Sequence, residues 1–211
     1  MNSSTFRPTQ AKDWLYLLLW IVLLIAALNF IITRATPYLS VDENIFQRFW
    51  GVKWWLFGHV VGGILALLVG PFQFWKGLRR KNLKLHRNLG KVYIISILIA
   101  ATCSTVLSWT SAIAIHWTWA ISLQTLALAW FMTVIIAFLK IKRKEIVSHQ
   151  QWMVRSYVVT FGFVMFRILM DLPIVQSAGN FIETGPTMGW LAWVIPLMIV
   201  EPFLQFGQSK K

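Results

Sequence analysis

GHVVGGILALLVGPFQFWKGLRRKNLKLHRNLGKVYIISILIA, residues 58–100, decides the solvent of this chain. An apolar run, a short connection crowded with Lys and Arg, and a second apolar run follow one another without a single acidic residue. About 20 apolar residues cross roughly 30 Å of hydrocarbon. In lipid the backbone polar groups must be satisfied within the segment, which selects helices or closed barrels. Two runs of this length around a cationic loop predict a helical hairpin through a bilayer. Outward from it, the same reading gives six spans, at 14–33, 53–75, 89–111, 117–139, 152–172 and 188–206. The expected fold class is all-α: a polytopic membrane protein with six transmembrane helices in one bundle. The spans and short connections use nearly all of 1–211, so one integral membrane domain is expected.

Composition agrees with this reading. The chain is 57% hydrophobic and 13% charged, the balance of an integral membrane protein. Its net charge is +13. Nucleic acid is not the expected partner, because the placement of the charge points elsewhere. All Lys and Arg except Arg34, Arg48, Lys53 and Arg167 fall in the N-terminal tail, in 76–91, in 140–155 or in the C-terminal tail. By the positive-inside rule these stretches face the cytoplasm, which predicts an N-in/C-in orientation in a bacterial cytoplasmic membrane. The same charge attracts anionic headgroups of the lipid bilayer. Arg7 and Lys12 resemble the start of a signal peptide, but the apolar run after them is long and a retained anchor is expected. Cys103 is the only cysteine, so no intrachain disulfide is expected. The 13 Trp suit interface belts: Trp50, Trp54, Trp55, Trp117, Trp119, Trp190 and Trp193 on the outer side, Trp14, Trp75 and Trp152 on the inner.

Three faces stand out within the spans. Gly58, Gly62, Ala66 and Gly70 recur every fourth residue and predict close helix approach. His86, Gly90, Tyr93, Ile97, Ala101, Ser104, Ser108 and Ser111 form one stripe of the third span. His149, Met153, Ser156, Thr160, Phe163, Arg167 and Asp171 form a polar stripe of the fifth, which should face protein or a water-filled cavity. Arg167 and Asp171 have the spacing of an intramembrane ion pair. The loop 35–52 and the loop 174–187, with its breakers Gly179, Gly185 and Pro186, are the long outer connections. Either could cover an outer site.

The four histidines sort by depth. His86 and His149 precede two inner helix starts. His59 lies roughly 9 Å into the second span, and His116 stands at the outer turn before the fourth. Two inner and two outer imidazoles match the requirement of haem iron for axial ligands on opposite faces. The expected cofactor is therefore haem b, with Arg79, Arg87 and Arg155 as cations for its propionates. A non-haem metal set from Glu145, His149 and His86 lacks a clear fourth ligand. No Ser-His-Asp arrangement, glycine-rich phosphate loop or CxxC element occurs.

GHVVGGILALLVGPFQFWKGLRRKNLKLHRNLGKVY and SHQQWMVRSYVVTFGFVMFR resemble an uncharacterised family of bacterial membrane proteins, the domain of unknown function 2306. The resemblance implies that His59, Arg79, His86, Arg87, Gly90, Tyr93, His149, Trp152, Met153, Arg155 and Arg167 match the family pattern, whereas His116 does not. The family implies no established activity. In layout the chain is also similar, more distantly, to the dihaem b561-class transmembrane cytochromes. That likeness implies His59 with His116 around one haem and His86 with His149 around the other, with a quinone or redox protein as partner. Two function classes follow: b-type haem binding with electron transfer, or a haem-free transporter or lipid-interacting protein that uses the polar face of the fifth span.

Overall fold

A computed structural model describes residues 11–206 of the chain. The basic tail residues Arg7, Lys210 and Lys211 lie outside that range. Six long helices dominate: α1 (Ala11–Phe30), α2 (Lys53–Phe74), α3 (Leu83–Leu107), α4 (Trp117–Lys142), α5 (Ile146–Met170) and α6 (Phe181–Phe206). Each belongs to a helical stretch long and apolar enough to cross a membrane, and no strand occurs among the described residues. The chain is a multi-pass, all-helical membrane protein.

Small residues set the tightest packing. A Cβ on Gly62 would sit 2.6 Å from the Ser96 carbonyl and 2.9 Å from Ala100 Cβ, and one on Gly58 would sit 2.9 Å from Cys103 Sγ. The glycine face of α2 therefore lies directly on α3, as the four-residue spacing predicted. Without a hydrophobic drive between helices in lipid, such close approach supplies the dispersion contacts. Gly70, one turn before the α2 terminus, is covered by the Tyr157 ring of α5.

The stripes of α3 and α5 face each other. Tyr93 is fully buried, and its hydroxyl lies 3.1 Å from both Ser156 Oγ and Thr160 Oγ1. Trp130 of α4 donates its indole N–H to Thr160 Oγ1 at 2.8 Å. Thr160 donates in turn to the Ser156 carbonyl at 2.8 Å. These bonds tie α3, α4 and α5 into the centre of the bundle.

α1 and α6 are the outer staves. α1 touches the bundle through Trp20, against Phe74 and Tyr157, and through Phe30 against Phe163. Leu23 also packs against the core, whereas Leu15, Leu18, Val22 and Ile25 are exposed, as lipid-facing residues would be. α6 seats Gly189 against Ser122 and Trp119 of α4, and Ser122 Oγ donates to the Pro186 carbonyl at 3.1 Å.

Several boundaries differ from the sequence reading. α3 begins at Leu83, capped by the Asn82 side chain, which accepts from the Leu85 N–H at 2.9 Å. α5 begins at Ile146. His86 and His149 are each the fourth residue of their helices and stand inside the first turns, not before them. Polar first turns hide a helix start from a hydropathy reading. Gly185 and Pro186 lie within α6, where they had been expected in a loop. Pro186 is the sixth residue of α6, past the first turn, and has no N–H to give the Ile182 carbonyl.

Trp119 is buried between Phe166 and Phe181, at ring distances of 5.2 and 5.1 Å. It is a core residue and not part of an interface belt. Trp14, Trp54, Trp75 and Trp117 are exposed.

Candidate functional site

A cavity of about 270 Å³ opens in the half of the bundle that holds the ends of α1 and α5 and the starts of α2 and α4. Its position follows from three local features. The 35–52 segment folds into short helical turns, Thr36–Leu39, Glu43–Phe46 and Gln47–Val52, instead of a free loop. Phe46 is buried between Tyr38 and Trp50, which pins this segment down so that Tyr38, Arg48 and Phe49 roof the cavity. Gly63 contributes no side chain on the α2 wall, and open space surrounds the place of its missing Cβ.

The polar stripe of α5 supplies Thr160, Phe163 and Arg167 to the lining. A polar face in lipid does turn to a cavity here, as its cost of exposure demands. His59 lines the cavity from α2, and its Nδ1 lies 3.0 Å from the Ala100 carbonyl. A carbonyl only accepts, so Nδ1 carries the proton and Nε2 remains free for a ligand. Below it the hydroxyl network is closed. Thr160 spends its proton on a carbonyl and accepts from Trp130, so Tyr93 donates to Thr160 and Ser156 donates to Tyr93. Every proton in that set has a fixed acceptor. It anchors the cavity floor and leaves no free hydroxyl to start a proton relay.

Arg34, Arg48 and Arg167 all line the cavity, and no carboxylate does. The i,i+4 spacing predicted an ion pair between Arg167 and Asp171. Asp171 instead meets Arg34 of the first helical stretch at 3.2 Å. α5 has ended at Met170, and Asp171 sits in the turn beyond it, within reach of α1. Arg167 bends back over Phe163 and Phe166, 5.4 and 5.6 Å from their ring centres. It has no carboxylate within 4 Å among the described residues.

The other expected residues gather at the opposite end. His149 Nδ1 donates to the Ala137 carbonyl at 2.8 Å, leaving Nε2 free. His86 Nδ1 is buried without a partner among the described residues. Arg79, Arg87 and His149 all stand near enough to His86 to act on its charge. Gln73 completes the group: its side chain rests 3.1 Å from where a Gly90 Cβ would be, and its buried amide nitrogen also lacks a partner.

Arg155 is not the free cation that was expected. It forms a two-point pair with Glu201 of α6, Nε to Oε2 at 2.9 Å and Nη2 to Oε1 at 2.6 Å, and lies over the Trp152 ring. Glu145 turns to Lys140 at 2.6 Å and no group of three metal-ligating side chains forms among the described residues. His116 caps α4, with Nδ1 2.7 Å from Thr118 Oγ1. His59 lines the cavity and His116 does not.

Sequence reasoning missed Glu201, Gln73, Gly63 and the joint role of Arg34 and Arg48. Glu201 carried a signal, being the one acid among the apolar residues of the last span, where an ionisable side chain needs a partner. Gly63 carried none. It breaks the four-residue glycine spacing, and only the tertiary arrangement shows that it faces empty space.

No curated protein and no solved structure matches the chain. A family model does match, over residues 56–204, which include α3, α4 and α5 complete and nearly all of α2 and α6. The chain belongs to the predicted membrane protein family DUF2306.

Proposed function

We propose that this membrane protein binds an amphiphilic ligand taken from the bilayer, in a lipid-handling or transport role. The observation that carries this reading is the cavity itself: apolar walls, a cationic rim and one half-buried imidazole, within a bundle surrounded by lipid. Small-molecule sites are typically apolar concavities of about 300–1,000 Å³ with a few converging polar groups, and this one lies near the lower bound. The charge asymmetry of the loops supports an N-in/C-in orientation in a cytoplasmic membrane, with the cavity toward the outer leaflet.

The test is ligand-dependent stabilisation of protein purified in a neutral detergent. Single-chain amphiphiles should raise the melting temperature, since anything that binds only the folded state stabilises it. Gly63→Leu should fill the cavity and erase the shift. Absence of a shift with every amphiphile tried, charged or neutral, would reject the reading.

A second reading has its own support at the opposite end: haem b between His86 and His149. His149 is held by the Ala137 carbonyl through Nδ1, the outer-shell bond that orients a ligating imidazole. His86 stands beside it with an unpartnered nitrogen, and Arg79 and Arg87 offer cations to propionates. Haem bound there would supply one-electron redox chemistry, with a quinone as the membrane-soluble partner. Arg155 would contribute only by releasing Glu201. Protein made with ample haem supply should then show a Soret band that His86→Ala or His149→Ala removes. A colourless preparation sinks this second reading and leaves the first untouched.

A further inference from the structure

We propose that the ligand of the cavity is a single-chain amphiphilic anion, whose carboxylate or phosphate is held by Arg34, Arg48 and Arg167 after it displaces Asp171 from Arg34. This rests on the reading of the cavity as a ligand site. Three arginines and no acidic residue line that space. Of the three, only Arg34 has a carboxylate within 4 Å among the described residues; Arg48 and Arg167 lie over aromatic rings, with Arg48 4.8 Å from the centre of Phe49. A ring face offsets a cation only in part. Guanidinium forks match carboxylate and phosphate oxygens in two-point contacts, so three of them around one cavity select an oxyanion.

Asp171 is a weak competitor. The side chains of Arg34 and Asp171 are 50% and 60% exposed, and exposed pairs of this kind contribute little. A ligand oxyanion that also reaches Arg48 and Arg167 wins that exchange.

The hydrocarbon part is limited by size. About 270 Å³ admits one chain and not the two of a bilayer phospholipid. From Arg167 to Thr160 is two turns of α5, about 10 Å at 1.5 Å per residue. A tail following that line passes Phe163 and ends beside Trp130, whose indole N–H is already used by Thr160. The floor thus offers an aromatic surface without a free donor.

The full chain in a neutral maltoside detergent tests this by tryptophan quenching with 11-bromoundecanoate and its neutral counterpart 11-bromoundecanol. The acid should bind at least tenfold more tightly than the alcohol, and Trp130→Phe should remove part of the quenching. Arg167→Ala should weaken the acid about tenfold and leave the alcohol unchanged. Asp171→Asn should tighten the acid a few-fold, because Arg34 is released; a purely structural role for the pair has no route to that gain. Displacement of the bromo acid by dodecanoate or dodecyl phosphate supports the assignment and tells which oxyanion is preferred. Displacement by inorganic phosphate at the same concentrations overturns it, since the site would then hold a small free anion. Equal binding of acid and alcohol, with Asp171→Asn silent, overturns the anion assignment and leaves the cavity reading standing. Quenching by neither compound overturns both.

Discussion

The two ends of this bundle treat charge and space in opposite ways. At the end crowded with basic loops, Arg155 is enclosed and joined to Glu201 by two short bonds, and Gly70 is capped by Tyr157. At the other end Arg34 holds Asp171 by one exposed contact, Arg48 and Arg167 have no carboxylate within 4 Å among the described residues, and Gly63 opens on empty space. The same residue types therefore do different things. Glycine closes one half and hollows the other; arginine locks one half and leaves the other short of negative charge. The basic half ties its enclosed arginine to an acid, although His86 Nδ1 and the Gln73 amide nitrogen stay unpartnered there among the described residues. The other half is where an anionic ligand gains something by arriving.

Adjacent glycines give the sharpest way to break that contrast. Gly62→Leu should cost the most, because even its Cβ meets the Ser96 carbonyl at 2.6 Å and the α2–α3 contact must open. Overpacking of this kind costs about 1–3 kcal/mol, and more where backbone is the obstacle. The monodisperse fraction in detergent chromatography after heating is the readout; a wild-type profile would contradict the packing described here.

Next comes Arg155→Ala. The Arg155 side chain is 11% exposed and that of Glu201 41%, so the loss is that of a partly screened charge-assisted bond, about 2 kcal/mol. The equivalent change at the other end, Arg34→Ala, should cost less than about 1 kcal/mol in stability. Equal melting temperatures for the two variants would erase the distinction between the halves. Between them falls Tyr93→Phe, at about 1–2 kcal/mol, since Thr160 keeps its other partners while the buried Ser156 hydroxyl loses the acceptor it donates to. The smallest stability effect belongs to Gly63→Leu. It should be neutral within about 0.5 kcal/mol, or slightly favourable for helix propensity, while abolishing amphiphile binding. A Gly63→Leu protein that melts far below wild type would mean that the cavity wall is not open there.

Much of this was legible along the chain. The six helices, the close approach made by the α2 glycine face and the inward turn of the polar α5 stripe follow from spacing; that α2 meets α3, and that the α3 and α5 stripes face each other, does not. The histidine depths were half legible. His86 and His149 do share one end, but both lie inside helices whose polar first turns looked like loop. His116 was expected beside His59 and instead caps α4. The Arg167–Asp171 pair does not form although the Asp171 N–H still bonds the Arg167 carbonyl at 3.0 Å: the carboxylate turns to Arg34, and Arg167 lies over Phe163 and Phe166.

What residues 1–211 determined unaided is the solvent, the number of crossings and the inward faces of the second, third and fifth helices. A bilayer imposes fixed length and internal hydrogen bonding on every span, so these properties are local and periodic. Partner choice was decided only by the tertiary arrangement. Glu201 reaches Arg155 across 46 positions, and Asp171 takes Arg34 across 137. Gly63 lines a void while Gly62 lines a contact. Each of these depends on which helix stands beside which, and a linear pattern carries no term for that.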